Sequence, residues 1–293
     1  MFDPSYRPEQ LAEIAQTIRR DVLVSVTHAA SGHPGGPLSM ADYLTALWFR
    51  TLRLDPQHPF WEDRDRFVLS NGHASALLYA LMARRGFFHP SYLMTFRDTD
   101  SRLLGHPSSV KLPGVEISTG SLGQGLAVAH GMALGLRRLG KETPTVYCHC
   151  GDGELEEGSV WEAVMAAAHY KSDNLILAVD ANDAQIDGHV RDVMAVEPLV
   201  DKFQAFNWRA LDVPGHDMSA ICDAWDNARQ RLGQPTVILF RTVMMKGCPE
   251  FEDLPGWHGR PPQPEECDRM LKQLGYDETY EQAVKSYGEA RYQ

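Results

Sequence analysis

Residues 151–188 read GDGELEEGSVWEAVMAAAHYKSDNLILAVDANDAQIDG, and the rest of the chain is organised around this stretch. It follows a short apolar strand predicted over residues 145–150. The spacing of its valines and alanines predicts a helix over roughly residues 157–170. A second strand, predicted over residues 175–180, is apolar throughout, as expected for a parallel strand buried on both faces. The pattern therefore predicts a βαβ unit.

Polar side chains follow both predicted strands. Asp152 lies in a Gly-Asp-Gly turn after the first strand, and Asn182 follows the second. The carboxyl ends of parallel strands share one sheet edge, where α/β proteins bind ligands. Oxygen ligands suit Mg²⁺, and Gly151 and Gly153 would let the backbone approach a phosphate at the start of a helix. The residues alone are equally compatible with a metal–diphosphate site and with an ordinary turn whose aspartate caps a helix.

Composition restricts the class of protein. The chain has 293 residues, of which 43% are hydrophobic and 23% charged, as in a soluble globular enzyme. Its net charge of −11 without a basic cluster argues against nucleic acid or anionic membranes as partners. No apolar run approaches the roughly 18 residues of a membrane span, and the start MFDPSYRPEQ does not resemble a signal peptide.

The cysteines bear on location and on metal binding. Five cysteines without C-x-x-C spacing predict reduced thiols and a cytoplasmic location. Cys148, His149 and Cys150 could suggest a metal site, but alternate residues of one strand face opposite ways. We therefore expect all three to be buried strand residues.

The whole chain predicts one α/β domain over residues 1–293, with a doubly wound, mostly parallel sheet and helices on both faces. Residues 263–293 form a helical carboxy-terminal extension of it. Ser39 is expected to cap a helix, with Asp42 as its capping-box acid. A helix of small residues over 126–139 suggests a subunit interface or, equally, tight internal packing. Further helices are expected over 10–28, 74–85 and 217–232, and strands over 64–70, 208–213 and 235–242.

Six blocks of the sequence carry a recognisable pattern. They are SGHPGGPLSMADYL at 31–44, SNGHASALLYA at 70–80, GHP at 105–107, STGSLGQG at 118–125, the GDG…N stretch at 151–182, and WHG at 257–259. Together these blocks resemble the transketolase family, whose members use thiamine diphosphate (ThDP), and the resemblance covers about residues 10–275. Pyruvate-dehydrogenase-type α subunits share the GDG…N signature but not the first and last of these blocks.

The resemblance implies roles for individual residues. Three histidines would recognise substrate hydroxyls and transfer protons: His33, His106 and His258. A divalent cation, Mg²⁺ or as substitutes Ca²⁺ or Mn²⁺, would be held by Asp152, Asn182 and the carbonyl of Ala184. ThDP would be contacted by His73, Gly120, Ser121, Leu122, Gly153, Glu157, Asn182, Ile186 and His258. Ser121 replaces the family's usual proline, and Asp183 and Ala184 also depart from the family, but the contacts expected there involve backbone atoms.

The resemblance also implies a partner. The chain ends where the first transketolase domain ends and contains no domain for the aminopyrimidine of ThDP. We therefore expect the amino-terminal, diphosphate-binding subunit of a split transketolase, paired with a separate carboxy-terminal, pyrimidine-binding subunit in an α2β2 heterotetramer. It would transfer a two-carbon ketol unit from a ketose or ketose phosphate to an aldose.

Three alternatives are open. The chain could act on an unusual sugar or keto acid in a biosynthetic pathway. It could be an NAD-dependent dehydrogenase on a similar sheet, although it lacks G-x-G-x-x-G after a first strand. It could also be a non-catalytic scaffold, against which the intact Asp152, Asn182 and four histidines speak.

Overall fold

The computed structural model describes residues 3–292, so residues 1–2 and 293 of the predicted domain lie outside the described part. Five strands form the central sheet: β1 (Arg66–Leu69), β2 (Val146–Gly151), β3 (Leu175–Ala181), β6 (Arg209–Pro214) and β7 (Thr236–Arg241). Their order is β1-β2-β3-β7-β6, and every neighbouring pair is parallel. A separate antiparallel pair consists of β4 (Ala184–Gln185) and β5 (Gly188–His189).

Helices cover both faces of this sheet, as the doubly wound prediction requires. They are α1 (Pro8–His28), α2 (Gly35–Ala46), α3 (Ser75–Arg85), α4 (Gly125–Arg138), α5 (Gly158–His169), α6 (Val190–Val193), α7 (Leu199–Ala205), α8 (Met218–Ala228), α9 (Pro264–Gln273) and α10 (Tyr280–Tyr287). No helix within residues 3–292 is both long and apolar enough to span a bilayer.

Alternate residues of the strands belong to two separate hydrophobic clusters, one on each face of the sheet. Tyr147 and Phe240 belong to the cluster that contains side chains of α1, α2, α3 and α8. Leu177 and Leu239 belong to the other cluster, with side chains of α4, α5 and α7. This division follows from the two-residue repeat of a strand, which turns successive side chains to opposite faces. The near-continuous apolar strands seen in the sequence are therefore buried on both sides.

The cysteine–histidine strand is structural, as predicted. Cys148 and Cys150 are buried in the second cluster, whereas His149 faces the other side of the sheet. The imidazole of His149 lies 2.8 Å from the Tyr43 hydroxyl and 2.8 Å from Oδ1 of Asn71. Its two ring nitrogens are thus hydrogen-bonded, and the interior stays electrically neutral there.

Burial of His149 predicts a loss of stability in acid. It lowers the pKa of this imidazole from 6.5 to about 3, so below pH 6.5 the unfolded chain binds a proton that the folded chain does not. The stability present above pH 6.5 is therefore lost as the pH falls toward 3, by up to about 1.4 kcal/mol per pH unit. In urea unfolding, His149→Gln should make the decline in unfolding free energy between pH 6.5 and 5 shallower by about 2 kcal/mol.

The control for this experiment is His58→Gln, since the side chain of His58 is 76% exposed. It should change the decline of the unfolding free energy with pH only slightly, because its pairing with Asp55 lies at the surface and exposed ion pairs contribute little. Equal declines for wild type and His149→Gln would contradict the prediction.

The predicted helix cap at Ser39 is wrong. Helix α2 begins four residues earlier, at Gly35, and Ser39 is buried in its interior. The Ser39 hydroxyl contacts the carboxylate of Asp180 rather than a helix end. Asp42 does not cap either, because its carboxylate pairs with Arg19 at 2.7 Å and with His216 at 2.8 Å. A Ser-x-x-Asp pattern is local, and here these tertiary contacts take precedence.

Helix α4 has small residues on two sides, and the structure distinguishes them. Ala129 and Ala133 are buried in the core, so tight internal packing accounts for one side. Ala127, Val128 and Gly131 are exposed on the other side. The helix therefore presents a surface of small residues that nothing in the described chain covers.

The carboxy-terminal helices pack into the domain. Buried side chains of α9 and α10, including Met270 and Tyr287, belong to the same hydrophobic cluster as α1. Polar contacts support this packing: Arg20 on α1 pairs with Glu278, and the Tyr287 hydroxyl donates to Asp21 at 2.5 Å. Helices α9 and α10 of the predicted helical segment thus complete the layer over one face of the sheet.

Candidate functional site

A cavity of about 410 Å³ lies at the carboxyl ends of β2 and β3. The register places Gly151 opposite Asp180, so the loops that follow these two strands meet there. The cavity gathers predicted site residues from every motif block: His33, His73, His106, Gly120, Leu122, Asp152, Gly153, Asn182, Ala184, Ile186 and His258. The predicted residues Ser121 and Glu157 are exposed and do not line it.

A larger groove of about 820 Å³ is lined by side chains between Arg53 and Trp61. It lies before the amino end of β1 and contains none of the predicted site residues. We place the functional site in the smaller cavity because convergent polar groups, rather than volume, distinguish ligand sites.

Glycines allow the loops of the cavity to approach each other. A Cβ atom on Gly72 would lie 2.8 Å from the backbone nitrogen of Gly120, so any side chain there would push the two loops apart. Gly120 itself has φ +147°, a conformation that side chains disfavour. Because Gly72 and Gly120 carry no side chain, His73 and the 118–125 loop can lie together on one wall of the cavity.

The acidic end of the cavity is formed by Asp152 and Asn182, which are 5% and 7% exposed. The Asp152 carboxylate accepts hydrogen bonds from the backbone N–H groups of Gly153 at 2.8 Å and Asp183 at 2.6 Å. Burial, with the nearby charge of Asp180, raises the pKa of Asp152 to about 7. A bound cation would offset both effects and keep the carboxylate ionised.

The side chains of Asp152 and Asn182 fit a hard cation that shares its coordination with a phosphate. Within residues 3–292, no three His, Cys, Asp or Glu side chains are grouped as metal ligands. A cation at Asp152 and Asn182 would therefore complete its shell with backbone carbonyl, water or phosphate oxygens. Mg²⁺ in phosphate sites characteristically binds in this way.

Three histidines cluster at the other end of the cavity. The ring centroids of His33 and His73 are 5.0 Å apart, and that of His258 lies 5.9 Å and 5.3 Å from them respectively. Burial lowers the pKa of His33 to about 4 and of His73 to about 3, aided by mutual repulsion, and burial also lowers the pKa of His258. All three are neutral at pH 7, so each carries one donor and one acceptor nitrogen.

Two of these nitrogens lack a protein partner. Nδ1 of His33 and Nδ1 of His258 are buried and make no hydrogen bond within the described chain. Buried polar atoms are nearly always hydrogen-bonded in native proteins. The two orphaned nitrogens therefore fit a site that a polar ligand completes.

Arg97 supports the histidine loops, and the sequence interpretation missed it. Its guanidinium donates to the Ser31 hydroxyl at 2.8 Å, and it packs so closely on Gly105 that a Cβ there would lie 3.0 Å from Cζ. Ser31 and Gly105 lie next to the loops of His33 and His106. Arg97 thus links both loops, and its charge adds to burial in lowering the pKa of His106. No motif marks this arginine.

Glu154 is a second missed residue. It is 3% exposed and accepts hydrogen bonds from the backbone N–H of Gly123 at 2.8 Å and of Gly151 at 3.2 Å, and from the hydroxyl of Ser70. It therefore ties the ends of β1 and β2 to the 118–125 loop. The sequence feature that could have identified Glu154 is its position directly after the Gly-Asp-Gly turn.

The sequence profile of the family described as "Transketolase, thiamine diphosphate binding domain" matches residues 11–292, nearly the whole chain. The chain belongs to the transketolase family. The resemblance inferred from the motif blocks is thereby confirmed.

Curated members of the transketolase family include single subunits of similar length. The chain is 37% identical over 267 residues to a subunit of the apulose-4-phosphate transketolase of Actinobacillus succinogenes, covering 91% of this chain and 96% of that protein. It is 40% identical over 233 residues to "6-deoxy-6-sulfo-D-fructose transketolase subunit SqwG" of a Clostridium species, covering 80% and 84%. Human transketolase is 37% identical, but only 43% of its length is covered.

Solved transketolases share the fold. The structure from Leishmania mexicana superposes with a TM-score of 0.87 at 32% identity, covering 94% of this chain and 43% of that one. The structure from Campylobacter jejuni gives 0.86 at 35% identity, covering 96% and 46%. The chain therefore spans less than half the length of these solved transketolases, and the predicted α/β fold is confirmed.

Proposed function

We propose that this chain is the amino-terminal, diphosphate-binding subunit of a heteromeric transketolase. With a carboxy-terminal, pyrimidine-binding partner it transfers a two-carbon ketol unit from a ketose or ketose phosphate to an aldose. One observation carries the proposal: the chain covers 96% of a relative that is named as one transketolase subunit, but 43% of human transketolase. The motif residues gathered in one cavity support the same conclusion.

We assign the acidic end of the cavity to the cofactor's diphosphate and its cation. Asp152, Asn182 and the Ala184 carbonyl would hold Mg²⁺, for which Ca²⁺ or Mn²⁺ could substitute. When bound, ThDP supplies the nucleophilic carbon that takes up the two-carbon unit. The remaining cofactor contacts come from His73, Gly120, Leu122, Gly153, Ile186 and His258, with Ser121 through its backbone and the exposed Glu157 toward a neighbouring protomer.

We assign the histidine end to the substrate. His33, His106 and His258 would hydrogen-bond the hydroxyls of the sugar and accept or return protons during transfer. Their lowered pKa values support this role, since a neutral imidazole can both accept and donate at pH 7. The unpartnered Nδ1 atoms of His33 and His258 are the ring atoms available for it.

We propose an α2β2 assembly in which the open side of α4 contributes to an interface. Ala127, Val128 and Gly131 are exposed there, and Met165 on the neighbouring helix α5 is 57% exposed. Small residues let helices of different subunits approach closely. A cytoplasmic location stays a prediction, supported by five cysteines that are all unpaired and buried.

A specialised sugar is the second candidate substrate. The relatives named for apulose-4-phosphate and for 6-deoxy-6-sulfo-D-fructose make an unusual donor or acceptor as reasonable as a common sugar phosphate. The dehydrogenase and scaffold alternatives find no comparable support among these related proteins.

The test is reconstitution of transfer. The chain is mixed with a carboxy-terminal, pyrimidine-binding transketolase subunit, ThDP and Mg²⁺. Products are followed by mass spectrometry over a panel of phosphorylated, sulfonated and plain ketoses with aldose acceptors. We expect an aldose product shortened by two carbons only when both proteins are present. Full turnover by the purified chain alone would refute the split assignment, and the panel distinguishes the two substrate classes.

A further inference from the structure

Asp180 lies at the centre of a buried hydrogen-bond cluster beside the proposed cation ligands. It is the penultimate residue of β3 and is 2% exposed. Its Oδ1 accepts from the Thr242 hydroxyl at 2.6 Å, and its Oδ2 accepts from Nδ2 of Asn182 at 2.7 Å. The Ser39 hydroxyl contacts the same Oδ2. None of the motif assignments gives this carboxylate a role.

Asp180 determines which end of the Asn182 amide faces it. Both oxygens of the Asp180 carboxyl group accept hydrogen bonds, from Thr242 and from Asn182, so the NH₂ end of the amide points toward it. The oxygen end then faces the other way, where Oδ1 accepts from the backbone N–H of Ala184 at 2.9 Å. A carbonyl oxygen has two lone pairs, and the second is free for a cation.

Turning the amide over would break both contacts. Oδ1 of Asn182 would meet the carboxylate oxygen of Asp180, and its NH₂ group would meet the N–H of Ala184. Each mismatch leaves buried polar groups unpaired, which is costly. Ser39 alone could not enforce the orientation, because its hydroxyl, 3.3 Å from Nδ2, can either donate or accept.

We propose that Asp180 is a positioning residue that keeps the amide oxygen of Asn182, rather than its nitrogen, available to the divalent cation. The inference rests on the proposed function, in which Asn182 is a cation ligand. Thr242, which follows β7, donates to the opposite oxygen of Asp180 and does not take part in the Asp180–Asn182 contact.

The test measures Mn²⁺ binding by electron paramagnetic resonance in the reconstituted complex with ThDP. Asp180→Asn keeps the shape but can turn its own NH₂ group toward Asn182, so only the backbone N–H of Ala184 still favours the outward orientation of the amide oxygen. We expect the Mn²⁺ dissociation constant to rise about 10–100-fold, the usual cost of losing an outer-shell partner. Thr242→Val leaves the Asp180–Asn182 contact intact, so it should change the Mn²⁺ dissociation constant by less than about 3-fold.

A swapped pair separates positioning from a merely structural role. Asn182→Asp alone places two carboxylates in contact and should also weaken Mn²⁺ binding. The double variant D180N/N182D restores one amide donor and one carboxylate, so it should bind Mn²⁺ at least about 5-fold more tightly than either single variant, a coupling within the usual range for residues in contact. If circular dichroism shows that Asp180→Asn is unfolded, the Mn²⁺ affinity of the double variant is compared with that of Asn182→Asp alone.

The outcomes distinguish the positioning role of Asp180 from the proposed cation site itself. Unchanged Mn²⁺ affinity in Asp180→Asn, or no recovery in the double variant, overturns the positioning role while wild-type binding still supports the cation site. Wild-type complex that binds no Mn²⁺ overturns both.

Discussion

Asp152→Ala is expected to abolish binding of ThDP and Mg²⁺ by the reconstituted complex. Asp152 is the only carboxylate among the proposed cation ligands, and its replacement removes the charge that balances the cation. Loss of an outer-shell partner alone costs about 10–100-fold, so loss of this ligand should weaken binding by more than about 100-fold. Isothermal titration of ThDP in excess Mg²⁺ measures the effect directly.

The matched control for Asp152→Ala is Asp183→Asn. Asp183 is close by, but its side chain pairs with Arg191 and does not line the cavity. Its φ of +57° is one that asparagine tolerates. The control removes one negative charge near the site and should leave ThDP affinity within about 3-fold of wild type, because exposed ion pairs contribute little. Retained ThDP binding in Asp152→Ala would contradict the cation assignment.

His258→Ala should lower turnover far more than ThDP affinity, because His258 is only one of several proposed cofactor contacts. The imidazole of His258 is half-buried beside His33 and neutral at pH 7, and its buried Nδ1 has no protein partner and is available to a sugar hydroxyl. Removing a group that moves protons in the transition state typically costs about 10²–10⁴-fold in rate. We expect kcat/KM for two-carbon transfer to fall in that range, while the ThDP dissociation constant stays within a few-fold of wild type.

His58→Ala serves as the histidine control, because the exposed side chain of His58 lies in the groove before β1 and away from the cavity. Its kcat/KM should equal that of wild type. A His258→Ala enzyme with unchanged kcat/KM would exclude a role in transfer. An equal loss of ThDP affinity and of kcat/KM would instead make His258 a cofactor-binding residue only.

The sequence predicted the sheet well because each buried strand has its own hydrophobic pattern, which can be recognised from neighbouring residues alone. Buried parallel strands are continuous apolar runs, and the stretches before Gly151 and Asp180 therefore identify β2 and β3. The Gly-Asp-Gly turn and Asn182 each follow a strand, and parallel strands bring their carboxyl ends together. Asp152 and Asn182 could thus be placed at one edge of the sheet without any knowledge of the rest of the fold.

The supporting residues could not be predicted, because their partners are distant in the chain. Ser39 and Asp180 are separated by 141 positions, so the local pattern indicates a helix cap where a tertiary hydrogen bond exists. Glu154 binds the backbone N–H of Gly123, 31 positions away, and backbone partners leave no trace in side-chain motifs. Arg97 reaches Ser31 across 66 positions, through loops whose conformation no periodicity encodes.

The most direct test of the proposed cation site is a crystal structure of the chain with its partner, ThDP and Mn²⁺, with the cation located by anomalous scattering. We predict one cation about 2.1–2.2 Å from the Asp152 carboxylate, Oδ1 of Asn182 and the carbonyl oxygen of Ala184, close to the Mg²⁺–oxygen distance, with the diphosphate completing its shell. An anomalous peak elsewhere, with Asp152 and Asn182 turned away from the cofactor, would contradict this prediction.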